Sequence, residues 1–174
     1  MIQGERIRLR PAKVADIDML HSRADDAAFE GEYNDFGLNP DRHLQRSFEA
    51  DGLLSARHGT LIVENMAGEF VGTISYRSVA YGPNEGSKHY AMGISLAPEQ
   101  RGKGYGSEAQ KLLTDYLFNT YPIIRVEAST DVTNIAEQRS LAKAGFTREV
   151  RVRKAQWRGG EWHDLFVYSK LRGE

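Results

Sequence analysis

Met92-Gly93-Ile94-Ser95-Leu96-Ala97-Pro98-Glu99-Gln100-Arg101-Gly102-Lys103-Gly104-Tyr105-Gly106-Ser107-Glu108-Ala109 reads as a strand that stops at Pro98, a basic glycine-rich turn, and a helix that begins at once. Glycine at the alternate positions 102, 104 and 106 leaves the backbone free of Cβ, so several N–H groups can converge on one anion. The helix N-terminus adds its partial positive charge, and the combination predicts a phosphate cradle. Two nucleotide motifs are excluded. A Walker loop needs Ser or Thr after Gly-Lys, and Gly104 follows Lys103 here; the dinucleotide fingerprint needs a third Gly where Ser107 stands. A bare connection would carry the entropic cost of three glycines for nothing.

On the C-terminal side, Ala109, Leu112, Leu113, Tyr116 and Leu117 recur at helical spacing and predict a helix over 107–120. A β-branched strand is expected over 123–128 and a helix over 134–144, closed by Gly145 at C′. A hairpin of 147–156 with 161–170 turns at Arg158-Gly159-Gly160. On the N-terminal side, 60–65, 70–79 and 89–97 read as an antiparallel meander. Residues 6–10 alternate as a strand before Pro11. Helices are expected over 16–24 and over 40–50, the latter with Asn39 as N-cap. The loop from Phe29 to Gly37 is acidic and aromatic; it reads equally as a substrate-side loop and as a solvated surface loop with two Phe tucked inward. The whole is one domain over 1–174 of the α/β (α+β) class, with a mixed, mostly antiparallel sheet of about seven strands flanked by four helices.

Composition narrows the function. With 23 Lys plus Arg against 24 Asp plus Glu, a dedicated duplex nucleic-acid binder is not expected. The absence of Cys removes disulfides, thiolate nucleophiles and Cys-ligated metals, and the five His do not form a His-Glu-x-x-His motif, so no metal is expected. A charged N-terminus and the lack of a long apolar run predict a cytoplasmic protein without a membrane partner.

Arg101-Gly102-Lys103-Gly104-Tyr105-Gly106 resembles the pyrophosphate loop, Gln/Arg-x-x-Gly-x-Gly/Ala, of the GNAT superfamily of acetyl-CoA-dependent N-acetyltransferases. Asn134, followed by Lys143-Ala144-Gly145-Phe146, matches that family's second element. Leu9-Arg10-Pro11, Glu108-Ala109, Trp162-His163-Asp164 and Tyr168 are similar to the Rim-type branch, the ribosomal-protein N-terminal acetyltransferases. The resemblance implies a sheet splayed between the fourth and fifth strands, acetyl-CoA as co-substrate and a primary amine as acceptor, either a protein N-terminus or a small molecule. A non-catalytic acyl-CoA-binding or sensor module is the rival reading, and the assembly is left open, a homodimer included.

The resemblance also assigns candidate residues. Backbone amides of Ile94, Ser95 and Leu96 would hold the thioester oxygen and pantetheine, with Ile94 and Leu96 side chains facing the core. Arg101, Gly102, Lys103, Gly104, Tyr105, Gly106 and Ser107 would hold the pyrophosphate, and Asn134 the pantetheine arm, the helix cap, or both at once. The family's usual proton donors, Tyr seven residues after the Asn or Ser three after it, are replaced by Leu141 and Glu137. That leaves Ser140, Tyr105, water or Glu137 as acids, or departure of an unprotonated thiolate. Tyr90 stands where some relatives place a catalytic Glu, with His89 on the opposite face. Glu30, Glu32, Tyr33, Asp131 and His163 are the remaining candidates for the acceptor side, each also readable as a surface or structural residue.

Overall fold

Strand and helix segments alternate along the chain in the computed structural model, which describes residues 1–24, 26–37, 40 and 42–174. The strands are β1 (Ile2–Gln3), β2 (Ile7–Pro11), β3 (His58–Asn65), β4 (Phe70–Ala80), β5 (Lys88–Leu96), β6 (Arg125–Asp131), β7 (Thr147–Arg158) and β8 (Glu161–Leu171). The helices are α1 (Ile17–Ala24), α2 (Ala27–Glu30), α3 (His43–Asp51), α4 (Tyr105–Thr120) and α5 (Ile135–Lys143). One sheet holds all eight strands in the order β1-β2-β3-β4-β5-β6-β8-β7. Every pairing is antiparallel except β5 with β6.

The mixed class and the order of the larger elements agree with expectation. The eighth strand is β1, two residues long, set by the pairs Ile2↔Leu9 and Gln3↔Arg8 and too short to leave a periodic trace. The single-turn α2 is short for the same reason. The second expected helix starts at His43, with Arg42 at φ 56 as its N-cap; the expected cap, Asn39, lies outside the described residues.

β3 is buried on both faces, which is why Leu61-Ile62-Val63 is a continuous apolar run and not an alternation. Leu61 and Val63 join Leu113 and Leu117 of α4 in the larger core, while Ile62 packs with Ile17 and Leu20 of α1 on the opposite face. The end of α5 closes as sequence predicts. Gly145 at φ 88 donates to the Ala142 carbonyl at 3.1 Å, and Phe146 donates to Leu141 at 3.0 Å, the paired bonds of a Schellman stop. Gly159 and Gly160, at φ 59 and 85, make the two-residue turn between β7 and β8.

The feature that positions a site is a seam. β4 pairs with β5 as far as Leu96, but on its other side β5 keeps register with β6 only through Tyr90↔Val126, Ala91↔Glu127 and Met92↔Ala128. Beyond Met92 and Ala128 the two parallel strands diverge, and the β6-facing backbone groups from Gly93 to Leu96 border open space.

Candidate active site

The divergence opens a cleft in two connected parts. The larger, about 460 Å³, runs over the β5–α4 turn and is lined by Ile94, Ser95, Leu96, Gly104, Ser107 and Ser140 among others. The smaller, about 110 Å³, lies in the fork of β5 and β6, between Gly93 and Ser129, with Gln110, Asp131 and Gln156 on its walls. Tyr33, Asn34, Ile94, Asn134 and Glu137 line both and mark the junction.

At the cradle, α4 begins from Gly104 at φ 80 with no side-chain cap, so its first-turn N–H groups are available to a ligand. The turn is braced from behind. Arg6 donates from Nη1 to the Lys103 carbonyl at 3.1 Å, from Nη2 to the Gly104 carbonyl at 3.4 Å and from Nε to the Glu108 carboxylate at 2.9 Å, which ties up the carbonyls of the turn. A Cβ at Gly104 would lie 2.7 Å from Arg6 Nη1, and one at Gly106 would lie 3.1 Å from Ser140 Oγ, so glycine at both positions serves close packing as well as backbone conformation. Gly102, Arg139 and Lys143 complete the walls. An uncapped helix start, glycines in left-handed conformation and surrounding cations suit a bound pyrophosphate.

Arg101 lines this cavity but spends its donors on protein: Nε on the Leu96 carbonyl at 2.9 Å and Nη2 on Phe29 at 2.8 Å, tying α2 to the end of β5. Lys103 is held by Gln100 at 3.0 Å. Neither Lys103 nor Tyr105 lines the cleft; the Tyr105 ring packs against the larger core. Ile94 and Leu96, expected to face the core, are half-buried and line the cleft while packing against the core from its edge.

Glu137 occupies the junction. As the third residue of α5 it donates its N–H to Asn134 Oδ1 at 3.1 Å, so Asn134 caps the helix with its oxygen while its side chain also lines the cleft. Burial pushes the Glu137 carboxyl up to about 7, against the one hydrogen bond that lowers it, from Gln110 Nε2. Ser140 donates to Gln110 Oε1 at 2.9 Å, while Leu141 is fully buried in the core.

The far wall is a buried ion pair. Asp131 Oδ2 lies 2.6 Å from Arg158 Nη2 and 3.0 Å from His163 Nδ1, and Oδ1 accepts from Thr133 N and Oγ1. Burial opposes ionisation, but the Thr133 and Arg158 bonds win and bring the Asp131 carboxyl down to about 2. The Arg158 guanidinium stacks over Tyr33 at 5.5 Å, joining the hairpin to the loop after α2. His163 thus supports Asp131 and Arg158 and is not a cleft residue. Glu30 and Glu32 line the larger part, with Glu30 raised by burial and by Asp35.

Two further sequence candidates, besides Lys103, Tyr105 and His163, are not brought to the cleft. Tyr90 is 5% exposed in the larger core, packed on Tyr76 and Tyr121, and donates its hydroxyl to the Ala56 carbonyl at 2.8 Å. Burial first, then the neighbouring Tyr121, push it to about 12, which rules it out as a base near neutrality. His89 is buried near the start of β5, stacked on Tyr81 and 3.3 Å from Glu127, and lines neither part of the cleft. Conversely, Gln110, Arg6 and Arg158 went unsingled in sequence. Gln110 carried a signal, since it lies on the α4 face of Leu113 and Leu117, where a polar residue needs a reason.

No helix among the described residues is long and apolar enough to cross a membrane. Known proteins resemble this architecture in sequence and in fold. The uncharacterized N-acetyltransferase YnaD of Bacillus subtilis (strain 168) is 33% identical over 89 residues, 51% of this chain and 52% of that protein, so the chain spans about half the length of the curated relative it matches. The RimL ribosomal L7/L12 alpha-N-protein acetyltransferase, solved with coenzyme A, superposes with a TM-score of 0.81 at 18% identity, covering 97% of this chain and 95% of that one. Spermidine N-acetyltransferase from Vibrio cholerae, solved with CoA and spermine, superposes at 0.79 with 16% identity over 95% of each chain. These two likenesses are of fold. The family model described as acetyltransferase (GNAT) domain matches residues 6–147, and with the splayed sheet and the glycine-rich start of α4 it places this chain in the GNAT acetyltransferase family.

Proposed function

We propose that this chain transfers the acetyl group of acetyl-CoA to a primary amine by direct attack in a ternary complex. The observation that carries the reading is the junction: a cavity over the cradle meets a second cavity in the strand fork, with one carboxyl of near-neutral affinity between them. The amides from Arg101 to Ser107 would hold the pyrophosphate, the freed backbone of Ile94 to Leu96 the pantetheine and thioester oxygen, and Asn134 the arm between. In the reaction the amine nitrogen bonds to the thioester carbon and the carbon–sulfur bond breaks. Glu137 takes the proton that the nitrogen sheds and returns one to the thiolate, whose own affinity, about 8.5 for a free thiol, makes it a ready acceptor. Asp131 has no part in this transfer, because its charge is fully committed to Arg158, His163 and Thr133.

The two solved neighbours named above act, by name, on a protein N-terminus and on spermidine, both amines that are cationic before attack. Glu30 and Glu32 on the cleft wall support a positively charged acceptor here. The test is thiol release from acetyl-CoA across a panel of peptides with free N-termini, polyamines and amino sugars. Release that depends on one of these amines is the expected result. CoA binding with no amine-dependent release would favour the non-catalytic module.

A further inference from the structure

We propose that Gln110 is a positioning residue for Glu137, its amide N–H directed at the carboxyl, and that Ser140 holds the far end of the Gln110 side chain in place. The inference rests on the proton role given to Glu137 above. Gln110 is 1% exposed in the stripe of α4 that otherwise buries Ala109, Leu113 and Leu117. A primary amide in such a place is stabilising only when both its ends are bonded, and an aliphatic residue of similar size would fill the space without that demand.

Both ends are bonded, and in a definite sense. Gln110 Nε2 donates to Glu137 Oε1, and Gln110 Oε1 accepts from Ser140 Oγ at 2.9 Å; Ser140 Oγ lies in turn 3.4 Å from Ser107 Oγ on the cradle wall. Were the amide reversed, its oxygen would face the carboxyl, and only the protonated acid could bond to it. Ser140 Oγ can donate or accept and so anchors the amide in either sense, whereas the ionised carboxyl accepts only and selects the nitrogen. Gln110 therefore favours the carboxylate while burial favours the acid, and this opposition poises the group between them. Other charged or titratable side chains line the same cavities: Glu30 from the end of α2, Glu32 and Tyr33 from the loop after it, Asp131 from β6, Arg101 from the turn, and Arg139 and Lys143 from α5. Burial and the Gln110 bond outweigh all of them at Glu137.

The experiment is the pH dependence of kcat/KM for the responsive amine, alongside a carbon-13 NMR titration of the Glu137 carboxyl in the free protein, for the wild type, Gln110→Met, Ser140→Ala and Glu137→Gln. Loss of the hydrogen bond should move the Glu137 limb and its NMR midpoint upward by about one pH unit in Gln110→Met. Ser140→Ala, a change on the cleft wall and not in the core, should move both the same way by less, and it decides the matter if Gln110→Met does not fold. Midpoints unchanged in the folded variants, with a limb that Glu137→Gln abolishes, would overturn the positioning role. A limb that survives Glu137→Gln would instead remove the proton role on which this inference rests.

Discussion

At the cradle end of the cleft the working groups are backbone amides, and side chains such as Arg6, Glu108 and Arg101 serve to aim and brace them. At the fork the relation is reversed: the backbone of β5 and β6 parts to make room, and the groups that can hold charge are side chains, Glu137, Asp131 and Arg158, with Gln110 bonded to the first. A backbone-built site needs glycine at fixed local spacing. A side-chain-built site needs residues gathered from distant segments, and each must be desolvated and paired. The two ends should therefore fail in different ways when altered.

The largest effect is expected at the fork. Asp131→Asn removes the carboxylate from an ion pair whose side chains are 2% and 5% exposed, leaving Arg158 charged and buried. The cost should be about 3–5 kcal/mol of stability, read by denaturant unfolding at pH 7. Because the folded-state affinity of Asp131 is depressed, its contribution is present above about pH 3.8 and is lost as pH falls through about 2, so the difference between wild type and variant should narrow on acidification. A difference that stayed constant down to pH 2 would show that the pair is not the source.

At the cradle, Gly104→Val places a β-branched residue at φ 80 against Arg6. The obstruction lies on the Arg6 side, so the substitution acts by turning the amides and not by filling the phosphate position. Left-handed strain of about 1–3 kcal/mol should appear as roughly five- to hundredfold weaker CoA binding in calorimetry, in a protein that still folds. Unchanged CoA affinity would break the contrast between the two ends.

Leu141→Tyr restores the hydroxyl that many GNAT enzymes carry seven residues after the Asn, but Leu141 is fully buried. Overpacking should lower stability by about 1–3 kcal/mol with no gain in kcat. An increase in kcat would mean that the ring finds the cleft after all. The smallest effect should follow Lys103→Ala, a weakening of CoA affinity of less than about tenfold that disappears at high salt, since an exposed pair contributes about 0–1 kcal/mol. Abolished binding would show that side-chain charge, not backbone, holds the phosphate.

What the sequence makes legible follows the same division. The strand, turn and helix around Gly102-Lys103-Gly104, the α4 stripe, the Gly145 stop and the β7–β8 turn are all local in chain distance, and spacing or turn chemistry records them. Asn134 was readable as both cap and cleft residue, and it is both. Tyr90 was not readable as core, because a single strand position does not disclose that Tyr76 and Tyr121 enclose it. The association of Asp131, Arg158, His163 and Tyr33 depends on how far the hairpin reaches past β6, which no periodicity encodes. Glu137 was visible as a departure from the family pattern, but its partner Gln110 was hidden within an otherwise regular amphipathic helix.

The fork between β5 and β6 has a consequence for how the chain assembles. β6, β8 and β7 are drawn from residues 125–171, and β1 to β5 from residues 2–96, so the strand pairings within each half close within its own stretch of chain. Only three register pairs then join them, through a parallel pairing that must wait for the α4 crossover. Folding should proceed as two units that dock late, and pulsed hydrogen exchange would find the Tyr90–Met92 and Val126–Ala128 amides protected after those of β3–β4 and β7–β8. The short seam that leaves room for a substrate also sets the last step in building the protein.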